Sequence, residues 1–186
     1  MNNSASLYTE IPQDSSVSSI LFLIYISQLF KSNSKLTVRL INYIDNIAII
    51  VSSKTIHKNC CLLQNAANKL IEWENSHSIQ FNMKKTELIH FNSSRKILNS
   101  RKYSVFLMNN RIFPQEIVKW LGIWFDRKLS FKTHVEKRIA AASRMFYSIS
   151  RLANSERELS FQAIRRLYIA CVASIADYRV SIWWKN

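Results

Sequence analysis

The order of apolar and polar positions in the first third of the chain predicts a helix followed by a hairpin. Residues 18–30 are apolar on nearly every side, which predicts a helix buried on most of its faces. Two runs rich in β-branched residues, 36–43 and 47–52, predict buried strands joined by a tight turn. That turn would place one carboxylate, Asp45, at the tip of the hairpin.

Helical periodicity returns after the hairpin. Between residues 55 and 75 the apolar positions step by four and three, which predicts an amphipathic helix capped by Ser53 or Thr55. Three short apolar segments beyond it predict strands: 87–92, 103–108 and 118–126.

The last third of the chain has a helical pattern with basic residues interspersed. One helix begins near Phe131, and a second is predicted over about 158–178. Their predicted buried positions are Val135, Ile139, Ala142, Phe146 and Ile149 in the first helix and Phe161, Ile164, Tyr168, Cys171 and Ile175 in the second. The pattern therefore predicts a loose tail at 1–10, an α+β region at 11–126 and an all-α region at 127–186.

Composition adds a strong positive charge to this picture. The 186 residues carry 26 Lys and Arg against 12 Asp and Glu, a net charge of +14. Residues 119–186 hold 13 basic and 5 acidic side chains, a net charge of +8. Such a chain favours a polyanionic partner, nucleic acid before membrane. Glycine occurs once, at Gly122, where roughly 7% is usual.

The three cysteines do not predict a disulfide framework, because their number is odd and Cys60 and Cys61 are adjacent. Together with His57 and His77, Cys60 and Cys61 could suggest zinc, but the spacing matches no standard ligand set, and a packed core is the alternative interpretation. The longest apolar run, 20–26, is shorter than the ~20 residues of a membrane span. No signal peptide pattern is present, so we expect a cytoplasmic or nuclear protein.

Five motifs stand in a fixed order between Ile11 and the end of the chain. They are "IPQDSSVSSILFLIYISQLF", "YIDN", "IQFNMKKTELIHF", "VKWLGIWFDRKLSFKTHV" and "LYIACVASIADYRVSIWW". Their order and content resemble the reverse transcriptase domain of non-LTR (LINE-like) retrotransposons. In that family a Pro-Gln segment leads into a long apolar helix, and a Tyr/Phe-Ala-Asp-Asp turn follows.

The resemblance implies part of a right-hand polymerase palm, an antiparallel hairpin sheet with packed helices, followed by a thumb-like helical region. The implied activity is RNA-directed DNA polymerisation, a nucleotidyl transfer on a primer–template of RNA or DNA. Two Mg²⁺ ions about 4 Å apart would activate the primer 3′-oxygen and stabilise the leaving pyrophosphate. Mg²⁺ prefers carboxylate oxygens, and the family supplies three aspartates.

The resemblance also implies roles for individual residues. Asp45 would be the metal ligand, with Asn46 beside it, and Lys85 would protonate the leaving pyrophosphate. The template and substrate contacts would be Pro12, Gln13, Ser15 and Tyr43, and the primer grip would be Trp120, Leu121 and Gly122. The phosphate contacts would be Lys132, Lys137, Arg138, Arg144 and Arg151, which need only charge and reach.

Each of these roles has a structural alternative. Lys85 could be a surface lysine and Tyr43 a core aromatic residue. The Pro-Gln stretch could be only the lead-in to a helix capped by Ser18. The tryptophans, which could stack on bases, are at a spacing more typical of a core: Trp120, Trp124, Trp183 and Trp184.

The chain departs from the family pattern at its catalytic positions. The second turn aspartate is Asn46, and no aspartate strand precedes Ile11. Glu10 and Asp14 stand where the family has glycines that let backbone approach the template and nucleotide. We therefore expect a reverse-transcriptase fragment without polymerase activity of its own and with weak or no binding of Mg²⁺ or Mn²⁺. The alternatives are a basic nucleic-acid-binding remnant and an inert product of a decayed element. A missing N-terminal half, with the fingers and the rest of the palm, would be a further partner.

Overall fold

A computed structural model describes residues 17–31, 37–77, 79–92, 103–153 and 160–184. The described chain contains helices and three separate two-stranded antiparallel sheets, which confirms the α+β class. It forms two compact units. The first unit holds the elements up to Leu88 together with a hairpin at residues 105–112, and the second holds a hairpin at residues 117–126 and the helices that follow it.

Helix α1, Ser18–Lys31, forms where the apolar run predicts it, but its burial differs from the prediction. Ile26 and Leu29 pack against Leu70 in the core of the first unit. The opposite face is open, and Ile24 is 63% exposed. The prediction of a helix buried on most sides is wrong, because the described residues of this unit cover only one face of α1.

The predicted hairpin forms from β1, Val38–Tyr43, and β2, Asn46–Val51. Its register pairs Val38 with Val51 at the open end and Tyr43 with Asn46 at the turn. None of the twelve strand residues is buried, so the expectation of buried strands is wrong. One side of the hairpin contributes half-buried residues to the core of the first unit, and the other side is exposed: Leu40, Ile47 and Ile49 lie on the core side.

Helix α2 spans Ile56–Ser76, close to its predicted range. Of the two predicted caps, Thr55 is correct, since its side chain accepts a hydrogen bond from the N–H of Lys58 at 3.2 Å. Burial, and then the neighbouring Cys61, raises the pKa of the Cys60 thiol. Within the described residues no three His, Cys, Asp or Glu side chains are grouped so that they could hold a metal ion, so the zinc interpretation gains no support.

The β3–β4 hairpin joins β3, Val105–Leu107, to β4, Asn110–Ile112. The side chain of Gln64 in α2 binds both backbone groups of Phe106 in β3, at 2.6 and 2.7 Å. The strand predicted at 87–92 does not form, and only an isolated parallel bridge joins Leu88 to Pro114. Proline has no N–H to donate, so this pairing does not extend into a ladder there.

In the second unit, the segment predicted as one strand at 118–126 is a hairpin of β5, Ile117–Trp120, and β6, Ile123–Asp126. Leu121 and Gly122, which the resemblance assigns to the primer grip, lie at its turn. The hairpin groups with the helices that follow it. The domain boundary expected at residues 126 and 127 stays a prediction. The assignment of palm and thumb stays a prediction.

The helices of the second unit are α3, Lys132–Ala153, α4, Phe161–Leu167, a π-helical segment, Tyr168–Ala173, α5, Ser174–Ala176, and α6, Val180–Trp183. Their core contains Ala142, Ile149 and Val172. Phe146 and Tyr168, predicted to be buried, are about half exposed. Val172 is buried and Leu167 packs against the same core. The two residues are five positions apart, a spacing that the hydrogen bonds of a π-helix bridge and that a period of 3.6 residues does not place on one face.

The other predicted core positions of these helices divide in the same way. Ile164, Cys171 and Ile175 pack against the core, and Val135 is half-buried. Ile139 and Phe161 are exposed, which contradicts the prediction for both.

The backbone adopts left-handed conformations at several side-chain-bearing residues. Apart from Gly122, six described residues have φ between 48° and 57°: Ile44, Met108, Leu121, Leu129, Phe131 and Arg179. Because a Cβ atom disfavours this region, these positions are strained, most of all the β-branched Ile44.

Candidate nucleic-acid and metal sites

The turn of the β1–β2 hairpin presents the predicted catalytic positions to solvent. Ile44 and Asp45 form a two-residue turn closed by the pair Tyr43 and Asn46, and all four are exposed. The first turn residue, Ile44, has a φ of 54°. Tyr43 is about half exposed, which does not support the alternative of a core aromatic residue. The structure therefore brings Tyr43, Asp45 and Asn46 together at one exposed tip.

The side chains at this tip do not fit the two-magnesium centre that the resemblance implies. Asn46 Nδ2 donates a hydrogen bond to Asp45 Oδ1 at 2.9 Å. The Asn46 side chain therefore presents an N–H group to the Asp45 carboxylate, and not an oxygen that could bind a metal ion beside it. In the described part of the chain, no cluster of three or more His, Cys, Asp or Glu joins Asp45. Two divalent cations need several converging carboxylates, and this turn supplies one.

Lys85 lies in a separate 3₁₀ turn, Met83–Lys85, and is exposed. Asn82 caps this turn by accepting a hydrogen bond from the N–H of Lys84 at 3.1 Å. The buried carboxylate of Glu74 anchors the preceding residue, accepting a hydrogen bond from the N–H of Phe81 at 2.8 Å. Neither of the two ion pairs among the described residues involves Lys85. Its role as a general acid stays a prediction.

The predicted template contacts in the Pro-Gln stretch lie outside the described residues. These are Pro12, Gln13 and Ser15. The first described residue is Val17, and α1 begins at Ser18, the residue proposed to cap this helix.

The predicted primer grip is the turn of the β5–β6 hairpin. Leu121 and Gly122 both have positive φ, 48° and 79°, as a two-residue type I′ turn requires. The hydroxyl of Tyr178 donates a hydrogen bond to the Leu121 carbonyl at 3.1 Å. A Cβ atom on Gly122 would lie 3.0 Å from that same hydroxyl oxygen. The one glycine of the chain is therefore at a position where both its φ and its lack of a side chain are needed.

His134 and Tyr178, which sequence reasoning did not select, hold this hairpin in place. His134 is fully buried, and its Nδ1 accepts a hydrogen bond from the N–H of Trp124 at 3.4 Å. Its ring meets the edge of Trp183, whose Nε1 donates to the Tyr178 carbonyl at 2.9 Å. Burial, and then the nearby Arg138, lowers the pKa of His134. The contact between His134 and Trp183 joins residues 49 positions apart in the sequence, so local periodicity carries no signal for it.

The tryptophans predicted as either core or stacking residues divide between the two interpretations. Trp120, Trp124 and Trp183 are half-buried, and Trp184 is 64% exposed. Lys137 and Lys119 both lie over the ring of Trp124, with Nζ at 4.6 and 5.5 Å from its centroid.

The five predicted phosphate contacts of α3 have different surroundings. Lys132 faces Glu136 at 4.0 Å, and the Arg138 guanidinium lies 4.1 Å from the centroid of the Tyr178 ring. The other three are exposed and seven residues apart: Lys137, Arg144 and Arg151. Seven residues are nearly two helical turns, so these three form a row along one face of α3 at intervals of about 10 Å.

Asp126 organises the chain between β6 and α3. Its carboxylate accepts hydrogen bonds from the backbone N–H groups of Lys128, Ser130 and Phe131 and from the Ser130 hydroxyl, at 2.7–3.1 Å. Burial acts to raise the pKa of Asp126, but these hydrogen bonds outweigh it, so the pKa lies below its ordinary value. Asp followed by Ser four positions later before a helix is a signal that could have identified this residue.

The lowered pKa of Asp126 predicts a pH dependence of stability. A carboxylate whose pKa is depressed by folding contributes stability above its unfolded pKa of about 4, and that contribution is lost as pH falls through the folded value. We expect Asp126→Asn to lower the free energy of unfolding by about 1–2 kcal/mol at pH 7, and to reduce the loss of stability between pH 5 and pH 2. Melting temperatures across this range test it, with the exposed Glu136→Gln as control. Parallel curves for the wild type and Asp126→Asn would contradict it.

Comparison with known proteins identifies the family. The sequence model of a family described as "Reverse transcriptase (RNA-dependent DNA polymerase)" matches residues 3–125, more than half of the chain. The chain belongs to the reverse transcriptase family. The matched range contains both the Asp45 turn and the predicted primer grip, so the prediction drawn from the five motifs is confirmed at the level of the family.

A relative in Drosophila melanogaster agrees with a transposon origin of this reverse transcriptase sequence. It is named "Probable RNA-directed DNA polymerase from transposon BS" and is 26% identical over 144 residues, which cover 77% of this chain and 16% of the relative. The chain thus spans about a sixth of that protein's length. No solved structure matches significantly. No described helix has both the length and the apolar character needed to cross a membrane.

Proposed function

We propose that this chain is a reverse-transcriptase-derived region that binds primer–template through its second unit and does not polymerise by itself. The observation that supports the lack of polymerisation is the hydrogen bond from Asn46 Nδ2 to Asp45 Oδ1 at the hairpin tip. The family has two aspartates at this turn. This chain has one carboxylate, Asp45, and its neighbour Asn46 is an amide that donates a hydrogen bond to it. A lone exposed carboxylate binds Mg²⁺ or Mn²⁺ weakly, because the ion keeps its waters unless several anionic ligands converge.

The charge of the second unit supports binding of primer–template. Helix α3 carries five basic side chains and one acidic one, Glu136. Three of the basic residues form the exposed row on one face: Lys137, Arg144 and Arg151. A phosphate backbone offers a matching line of negative charge, and contact with it needs no base recognition.

Primer extension tests the proposed lack of polymerisation. The chain is incubated with a primed RNA template, deoxynucleotides and Mg²⁺ or Mn²⁺, beside its Asp45→Ala and Asn46→Asp variants and an active reverse transcriptase. We expect no template-dependent incorporation by any of the three forms, since Asn46→Asp restores only one acid. Incorporation by the wild type that Asp45→Ala abolishes would contradict the proposal.

A second candidate function is the C-terminal half of a split polymerase, which the open apolar face of α1 favours. Ile20, Leu21 and Ile24 are all more than 50% exposed on this helix, and an exposed apolar patch is typical of an interaction surface. In the same assay, this candidate predicts incorporation only when a polypeptide carrying the N-terminal palm half is added. Incorporation by that mixture, and not by either part alone, would favour it over the binding function.

A further inference from the structure

An exposed group of aromatic rings lies on the helices of the second unit. The ring of Phe146 meets the rings of Tyr147 and Tyr168 edge to face, at centroid distances of 5.8 and 6.5 Å. The exposed fractions of the three side chains are 46% for Phe146, 65% for Tyr147 and 47% for Tyr168. We call these three residues the aromatic platform. Their exposure contrasts with the core beneath, which small and aliphatic residues fill.

Arginines flank the aromatic platform on both helices. Arg144 precedes Tyr147 by three residues and Arg151 follows it by four, so all three lie on one face of α3. Arg165 precedes Tyr168 by three residues and is exposed. Within the described residues of these helices the rings lie near cations, and the one acidic residue of α3, Glu136, is more than two turns away from Tyr147.

This combination matches the chemistry of an unpaired nucleic-acid strand. An unstacked base offers an aromatic face to a ring, and its phosphates pair with nearby arginines. A duplex presents the same phosphates, but its base faces are already stacked on one another. An apolar protein partner would use the rings but would have no need of the arginines around them.

We propose that the aromatic platform binds single-stranded nucleic acid by stacking with unpaired bases, while Arg144, Arg151 and Arg165 hold the phosphates on either side. This surface would accept a single-stranded stretch of template, whereas the row of cations alone suffices for duplex. The proposal rests on the proposed function only in requiring that the second unit bind nucleic acid at all.

The test compares two substitutions of Tyr147, whose 65% exposure makes it tolerant of change. Tyr147→Leu keeps an apolar side chain and removes the ring, and the matched control Tyr147→Phe keeps the ring. Binding of a labelled 12-nucleotide oligo(dT) and of a 12-base-pair duplex is measured by fluorescence anisotropy at several salt concentrations. We expect Tyr147→Leu to weaken oligo(dT) binding about 5- to 100-fold, with little change for duplex and an unchanged salt slope, and Tyr147→Phe to bind as the wild type does.

The alternative outcomes separate the two proposals. If the wild type binds both nucleic acids and Tyr147→Leu weakens neither, or weakens both equally, the aromatic platform is not a base-stacking surface, although the binding function stands. If the wild type binds neither, both proposals fail. If sedimentation finds a dimer that Tyr147→Leu dissociates, the platform is an interface between copies of the chain, and the stacking proposal is overturned. Circular dichroism and melting of each variant establish that it is folded.

Discussion

Gly122→Ala should lower the free energy of unfolding of the second unit by about 2–5 kcal/mol. A Cβ atom at the φ of 79° adopted by Gly122 costs about 1–2 kcal/mol. The new methyl group would also lie 3.0 Å from the Tyr178 hydroxyl and 3.1 Å from a ring carbon, so the ring must shift and its hydrogen bond to Leu121 must weaken. Overpacking of this kind adds about 1–3 kcal/mol. Thermal and urea unfolding of the purified chain measure the effect.

A double-mutant cycle separates the two causes. In a Tyr178→Leu background the contact with the ring is absent, so Gly122→Ala should cost only the backbone part, about 1–2 kcal/mol. Gly122→Asn tests the backbone part of the cost in a second way, because asparagine tolerates a positive φ better than alanine does. Equal stability of the wild type and Gly122→Ala would show that Tyr178 does not pack on this turn as described.

Removing the row of cations on α3 should have the largest effect on binding. In a triple variant with Lys137, Arg144 and Arg151 changed to Gln, we expect the affinity for primer–template duplex to fall by about 10²–10³-fold at 50 mM salt. Each lost phosphate contact reduces the slope of log K against log salt by about 0.9, so the slope should decrease by roughly 2.7. Binding titrations at four or five salt concentrations give both quantities.

A matched control variant separates the effect of the α3 row on binding from the effect of the net charge of the chain. Lys54, Lys58 and Lys69 are exposed residues in or just before α2, in the first unit. Changing these three to Gln lowers the net charge by the same amount and should leave the salt slope nearly unchanged. If both triple variants lose affinity equally, binding depends on overall charge, and the α3 row is not the contact surface.

Local periodicity was sufficient to predict much of the first unit. The range of α2 and its cap Thr55 follow from the spacing of apolar residues and one side chain, both of which act within a few residues. The hairpin around Asp45 follows from two β-branched runs. Burial was harder to predict, because it depends on what covers an element: α1 has the predicted helix but one open face.

The contacts that hold the candidate sites in place were not predicted from the sequence, for a related physical reason. The Asp45 turn is visible in the sequence because its residues are adjacent. The contact of Tyr178 with Leu121 joins positions 57 residues apart, and no local pattern encodes it. Phe146 and Tyr168 of the aromatic platform were predicted to be core, since an exposed Phe146 and a buried one have the same helical spacing, and the π segment after Leu167 changes which residues face inward.

The scarcity of glycine in this chain has a consequence for protein engineering. The six described residues with side chains and positive φ occupy positions where glycine or asparagine is usual. At the three of these positions that hold exposed apolar side chains, Ile44, Met108 and Leu129, replacement by glycine would relieve about 1–2 kcal/mol of strain against an entropic penalty of roughly 0.5–1 kcal/mol, a net gain of 0 to about 1.5 kcal/mol at each. Domains are stabilised by only about 5–15 kcal/mol in total. Small turn substitutions that leave the core and the basic surface untouched could therefore raise the stability of this reverse transcriptase region by a sizeable fraction.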